Sequence, residues 1–148
     1  MEQEIKYIKL NENATVPTYG TKYSAGADLY NCSLEDIIIN PGETVMIHTG
    51  IAMQIPTGFG GFVFARSGIA LKRGLAPANK VGVIDSDYRG EIMVPLYNQS
   101  PYPQRVEANE RIAQIVFLPY LKGVFINADE LEQTKRAQNG FGSTGTKN

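Results

Sequence analysis

The segment Thr44 to Ile55, TVMIHTGIAMQI, alternates apolar and polar side chains about a central glycine. Asn40-Pro41-Gly42 precedes it and Pro56-Thr57-Gly58 follows it, and both triplets carry turn chemistry. A period of two held between turns describes one long or bulged strand. Shorter apolar runs recur at Ile37 to Ile39, Phe62 to Ala65, Ile92 to Tyr97 and Ile112 to Leu118, with turn residues between them. The chain has 148 residues with 15 glycines and 8 prolines, so many short strands joined by tight turns is the economical reading. This predicts an all-β fold, a jelly-roll-like sandwich or barrel. Only Ser67 to Leu75, SGIALKRGL, has a helical period, with Ile69, Leu71 and Leu75 apolar, and it predicts one short helix. After Thr134 periodicity stops. Residues 135–148 hold Gly140, Gly142 and Gly145 among Ser143 and Thr144, which predicts a flexible C-terminal arm beyond a β domain of residues 1–134.

This length suits a single domain. Fourteen basic residues against fifteen acidic ones leave no broad field for nucleic acid or a membrane surface, so an anionic ligand must be held by a local cluster. Cys32 is the single cysteine, which excludes an internal disulfide and a cysteine-rich metal site and reads as a packing residue. Met1 to Leu10 lacks a hydrophobic run. The expectation is a soluble, intracellular protein, cytoplasmic if its source is bacterial.

Five segments carry polar and glycine residues that packing does not require. Gly82-Val83-Ile84-Asp85-Ser86-Asp87-Tyr88-Arg89-Gly90 delivers two carboxylates and a tyrosine from the end of an apolar strand; a turn whose charges face water is the plain alternative. Ala25-Gly26-Ala27-Asp28-Leu29 leads an acid into a strand. Ala65-Arg66-Ser67-Gly68 leaves a strand for the predicted helix, whose free amides, with a guanidinium and a hydroxyl beside them, suit phosphate oxygens. Alternatively, Ser67 is an N-cap and Arg66 a surface cation. Glu110 to Val116, ERIAQIV, is an alternating strand that presents Gln114, with Arg111 read as a solvent-facing residue. Arg136 to Gly145, RAQNGFGSTG, places Phe141 in a glycine-rich tail. A Walker-type phosphate loop is rejected there, because Lys147 follows in the wrong order and no helix comes after it.

In order and spacing these segments resemble the five motifs of the homotrimeric dUTPase family. The resemblance implies hydrolysis of dUTP to dUMP and pyrophosphate, assisted by Mg2+, which limits uracil in DNA and supplies dUMP for thymidylate synthesis. It implies that Asp85 takes the proton of the attacking water and that Asp87 is peripheral. Asn79 and the main chain of Val83, Ile84 and Met93 would read the base, with Gly82 to Gly90 forming a β-hairpin that mimics base pairing, and Tyr88 would lie against the sugar and exclude a 2′-hydroxyl. Arg66, Ser67, Gly68 and Gln114 would bind the phosphates. Phe141 would stack over uracil, Arg136, Gly142, Ser143 and Thr144 would close on the substrate, and Asp28 would orient magnesium through water. The implied partner is a second and third copy of the chain, with each site shared among the three. The arm departs from the family pattern at Ala137 and Asn139, and Asn109-Glu110 replaces a common Gly-Asp pair, a change expected to affect only a turn. The rivals are a dCTP deaminase of the same fold, for which Glu91 is the nearby proton shuttle, and a non-catalytic trimer that regulates a partner protein, as in a phage setting.

Overall fold

The computed structural model describes residues 2–134 and Ala137. In chain order the elements are β1 (Lys6–Lys9), β2 (Thr18–Tyr19), β3 (Ala27–Tyr30), β4 (Ile37–Ile39), β5 (Thr44–Gln54) and β6 (Phe59–Phe64). There follow α1 (Ser67–Arg73), β7 (Leu75–Pro77), β8 (Gly82–Ile84), β9 (Glu91–Asn98), β10 (Gln104–Val106) and β11 (Arg111–Pro119). The strands form a four-stranded sheet in the order β1-β5-β9-β7, a five-stranded sheet in the order β2-β3-β11-β6-β8, and the pair β10-β4. The all-β, jelly-roll-like fold with one short helix is therefore observed.

The core lies between the two larger sheets, where Leu29, Ile39, Ile47, Ile51, Leu75, Val94, Leu96 and Ile115 are wholly inaccessible. β9 keeps a clean period of two, burying Ile92, Val94, Leu96 and Asn98 on one face. β5 does so only as far as Gly50. There the register with β9 jumps from His48↔Met93 to Ala52↔Glu91, and Gly50 takes φ +66°. A side chain at that position would meet the Ala14 methyl at 2.8 Å, so both the backbone conformation and the space require glycine. Beyond this bulge β5 is buried on both faces.

Asn98, wholly buried, donates from Nδ2 to the carbonyls of Ile39 (2.9 Å) and Tyr102 (2.8 Å), while its Oδ1 accepts from the Ser100 amide. That saturation lets a polar side chain sit in the core and tie β4 to the end of β9. α1 is shorter than its periodicity predicted, because Leu75 already begins β7. Ile69 and Leu75 are buried as expected, but Leu71 is 86% exposed.

Candidate active site

Sheet register brings three distant segments side by side. Asp28 on β3 stands opposite Gln114 on β11, and Gln114 stands opposite Phe64 on β6, from which the chain continues through Ala65 and Arg66 into α1. The Asp28 carboxylate is buried, with one oxygen accepting from Arg66 Nε at 2.7 Å and the other from Arg111 Nη1 at 3.2 Å. Burying a carboxylate is tolerable when it is paired and bonded in this way. Arg66 also donates to the Arg111 carbonyl at 3.3 Å, so its guanidinium is fixed in orientation with N–H groups to spare. Gln114 Nε2 donates to the Ala65 carbonyl at 2.9 Å. Its side chain fills the space beside Gly26 that a β-carbon there would occupy.

A cavity of about 710 Å³ opens on this row, walled by Ser24, Gly26, Asp28, Arg66, Ser67, Gly68, Arg111 and Gln114 among others. Arg66, not Ser67, is the N-cap of α1, and Ser67 makes no capping bond. Ser67 and Gly68 thus occupy the first helical positions, whose amides lack partners within the helix, and no acid lies in that first turn. The cavity is a concave cationic surface with free donors, suited to phosphate oxygens. Arg111, read from the sequence as solvent-facing, is half exposed but paired with Asp28 and part of this wall. Its role was hidden because it depends on which strand lies beside β11.

The segment Gly82 to Gly90 departs from the hairpin that the resemblance implies. β8 pairs only with β6 in the five-stranded sheet, whereas β9 pairs with β5 and β7 in the other. Residues 85–90 therefore cross between sheets, and β8 and β9 are splayed apart. Pairing of β9 on its β7 side ends where the Pro95 carbonyl accepts from the Ala78 amide at 2.7 Å. Backbone edges of Val83 and Met93 are left facing a second cavity, of about 280 Å³, lined by Met46, Asn79, Val83, Ile84, Asp85, Tyr88, Glu91, Met93 and Pro95. A slot with strand edges and an asparagine amide suits a flat heterocycle with alternating donors and acceptors. Asp85 lines it and Asp87 does not; both are exposed.

The two cavities share no lining residue. Arg136, Phe141, Gly142, Ser143 and Thr144 lie outside the described residues. Ala137 adopts φ +43°, left-handed and costing an alanine roughly 1 kcal/mol, and its amide donates to the Thr134 carbonyl at 3.1 Å. Glu110 does more than shape a turn: it accepts a bond from Arg73 at the end of α1 and another from the Glu107 amide, joining the helix to the start of β11. Cys32 is buried, and desolvation, with a smaller contribution from the charge of Glu91, pushes its thiol above the ordinary value, consistent with a packing residue. Among the described residues no helix is long and apolar enough to cross a membrane.

Comparison with known proteins agrees with this geometry. The dUTPase family model matches residues 12–145. A deoxyuridine 5'-triphosphate nucleotidohydrolase of Desulfitobacterium hafniense is 50% identical over 143 residues, 96% of this chain and 95% of that protein. One from Nautilia profundicola is 46% identical over 142 residues, 96% and 99% of the two chains. Among solved structures, the Staphylococcus bacteriophage 80alpha dUTPase with dUPNHPP is similar with a TM-score of 0.89 at 26% identity, over 98% of this chain and 100% of that one. These matches place the chain in the dUTPase family, as a dUTP diphosphatase.

Proposed function

We propose that the chain converts dUTP to dUMP and pyrophosphate in sites assembled between subunits of a homotrimer, thereby limiting uracil in DNA and supplying dUMP for thymidylate synthesis. The observation that carries this reading is the division of labour between the two cavities. One holds cationic and amide donors and the other holds strand edges, an amide and a carboxylate, with no residue in common. A nucleoside triphosphate needs both. In this reading the slot of one subunit faces the cationic cavity of the next.

The slot takes the base on Asn79 and on the main chain of Val83, Ile84 and Met93, with the Tyr88 ring against the sugar. Asp85 accepts a proton as the water oxygen bonds to the α-phosphorus, the bond from that phosphorus to the α,β-bridging oxygen breaks, and pyrophosphate leaves with the electron pair. Arg66, Ser67, Gly68 and Gln114 hold the phosphate oxygens and meet the charge that develops there. Arg136, Phe141, Gly142, Ser143 and Thr144 are assigned to the closing arm of the third subunit, on the strength of the sequence motif.

Among the described residues no three His, Cys, Asp or Glu side chains gather as metal ligands. Each Asp28 oxygen already accepts a guanidinium bond and keeps a further lone pair. This donor set fits a magnesium ion held by the triphosphate and by water, with Asp28 accepting from that water. When bound, the ion neutralises phosphate charge and stabilises the leaving group.

One feature supports the trimer. Beyond β11, residues 120–134 lack regular structure and leave Leu121, Val124, Phe125, Ile126 and Leu131 each more than 80% exposed. Apolar side chains in that number call for a partner surface. The deaminase alternative needs a glutamate free to move protons, and both carboxylate oxygens of Glu91 are engaged.

Subunit mixing tests the proposal. Asp85→Asn and Arg66→Ala proteins, each nearly inactive, are unfolded together and refolded. Random mixing puts about three-quarters of trimers in mixed form, each with one intact site of three, so pyrophosphate release should recover to about a quarter of the native rate. Recovery no greater than the sum of the separate variants would exclude sites built from two chains.

A further inference from the structure

Glu91 opens β9 immediately after the sheet-crossing segment, and three bonds converge on it. Its Oε1 accepts from the Gly50 amide at 2.7 Å, its Oε2 pairs with His48 Nδ1 at 2.8 Å, and its main-chain carbonyl accepts from the Tyr88 hydroxyl at 3.0 Å. His48 and Gly50 lie in the β5 bulge, where register with β9 is broken. Ladder pairing stops at His48↔Met93 and resumes only at Ala52↔Glu91, and the Glu91 carboxylate, with Thr49 Oγ1 donating to the Ile92 carbonyl, bridges the gap between them. The Gly50 residue is buried, so its amide has no ready substitute for this acceptor.

Tyr88 is held from two directions. Its hydroxyl is anchored on Glu91, and its ring lies so close to Gly90 that a β-carbon there would come within 2.6 Å of Cζ. Tyr88 is otherwise 42% exposed, and among the described residues its hydroxyl bond to Glu91 is the one hydrogen bond its side chain makes. The position of the Tyr88 ring therefore depends on the position of the Glu91 carbonyl, which is held by the pairing with Ala52 and, through the carboxylate, by the bulge.

We propose that Glu91, with His48, is a positioning residue for substrate specificity: it ties the β5 bulge to the base of the slot and sets the Tyr88 ring at the distance that separates deoxyribose from ribose. This rests on the reading of Tyr88 as the group against the sugar. The bonding, not the charge, is what the role requires. A glutamine at this position keeps an oxygen for the Gly50 amide and offers an N–H to the lone pair that His48 Nδ1 carries in its Nε2–H tautomer.

The test measures kcat and KM for dUTP and UTP in the full-length protein, with thermal melting as a check of folding. Tyr88→Ala tests the underlying reading and should lower the dUTP preference by well over tenfold; an unchanged preference removes Tyr88 from sugar selection, and the latch with it. If that holds, Glu91→Ala should lower the preference by about tenfold, through a higher KM for dUTP and a relative gain for UTP, with kcat for dUTP less affected. Glu91→Gln should stay within about threefold of native. Tyr88→Phe keeps the ring, removes only the exposed hydroxyl anchor and carries little risk to folding; it should reproduce the loss seen in Glu91→Ala, and the two should not add when combined. Native discrimination in Tyr88→Phe, additive losses in the double variant, or a Glu91→Gln protein as poor as Glu91→Ala each overturn the latch.

Discussion

The two cavities are built on opposite principles. The cationic one is made of side chains already committed to each other: Asp28 holds Arg66 and Arg111, and Gln114 holds the Ala65 carbonyl. The slot is made of groups left over when two strands part, and Asp85 projects into it exposed. Recognition of phosphate needs charge held in a fixed array, which a buried network provides at the cost of tying function to folding. Recognition of a base needs unsatisfied backbone edges, which a sheet offers only where pairing stops. In the first region, binding groups and structural groups are the same atoms; in the second they are separable.

This contrast predicts different outcomes for equally small substitutions. The largest effect is expected at Asp85→Asn, which should cut dUTP turnover about 10³-fold while nucleotide binding and the melting temperature stay near native. A parallel loss of stability would show that the slot is not separable after all. Arg66→Ala should cost about 10²-fold in turnover and, unlike the first, about 2 kcal/mol of stability, because the buried Asp28 carboxylate loses its shorter bond. Denaturant titration reads the difference directly, and an Arg66→Ala protein as stable as native would dissolve the comparison. The smallest effect concerns Cys32, whose amide donates to the His48 carbonyl behind the bulge that supports the slot. Its thiol ionises later in the folded protein than in the unfolded chain. The resulting stability is fully present below the ordinary value of 9.0 and is lost as pH rises from there through the higher native value. Unfolding curves from pH 8 to pH 11 should show this added decline, and Cys32→Ala should lack it.

Much of this was legible in the sequence, for local reasons. The Thr44 to Ile55 alternation about Gly50 foretold a bulged strand, since the period and its interruption both lie within one segment. Ser67 to Leu75 gave the helix but not its end, because Leu75 serves equally as a helix residue and as the first residue of β7. The motif order named Asp28, Arg66, Ser67, Gly68 and Gln114, which line one cavity, and Asn79, Val83, Ile84, Asp85, Tyr88 and Met93, which line the other. What stayed hidden depends on neighbours distant in the chain. Arg111 passed as a surface residue because nothing in ERIAQIV says that β3 lies alongside. Glu91 was weighed as a proton shuttle, and only the fold shows its carboxylate spent on His48 and Gly50. The hairpin expected over Gly82 to Gly90 is absent for the same reason: β8 and β9, close in sequence, are drawn into different sheets by β6 on one side and β5 on the other.

That division of β8 and β9 between sheets has a consequence for how the substrate slot is dimensioned. Its two edges are carried by different layers, so its width is the spacing between layers, and that spacing is set by the bulk of the side chains packed between them. Ile84, on one edge, packs against the same cluster as Ile92 and Val94 behind the other. Interior packing tolerates little change in volume without movement of its walls. The hydrophobic interior of this protein thus acts as the gauge of the slot, and in the proposed reading a methylene added or removed there is a change in the aperture offered to the base.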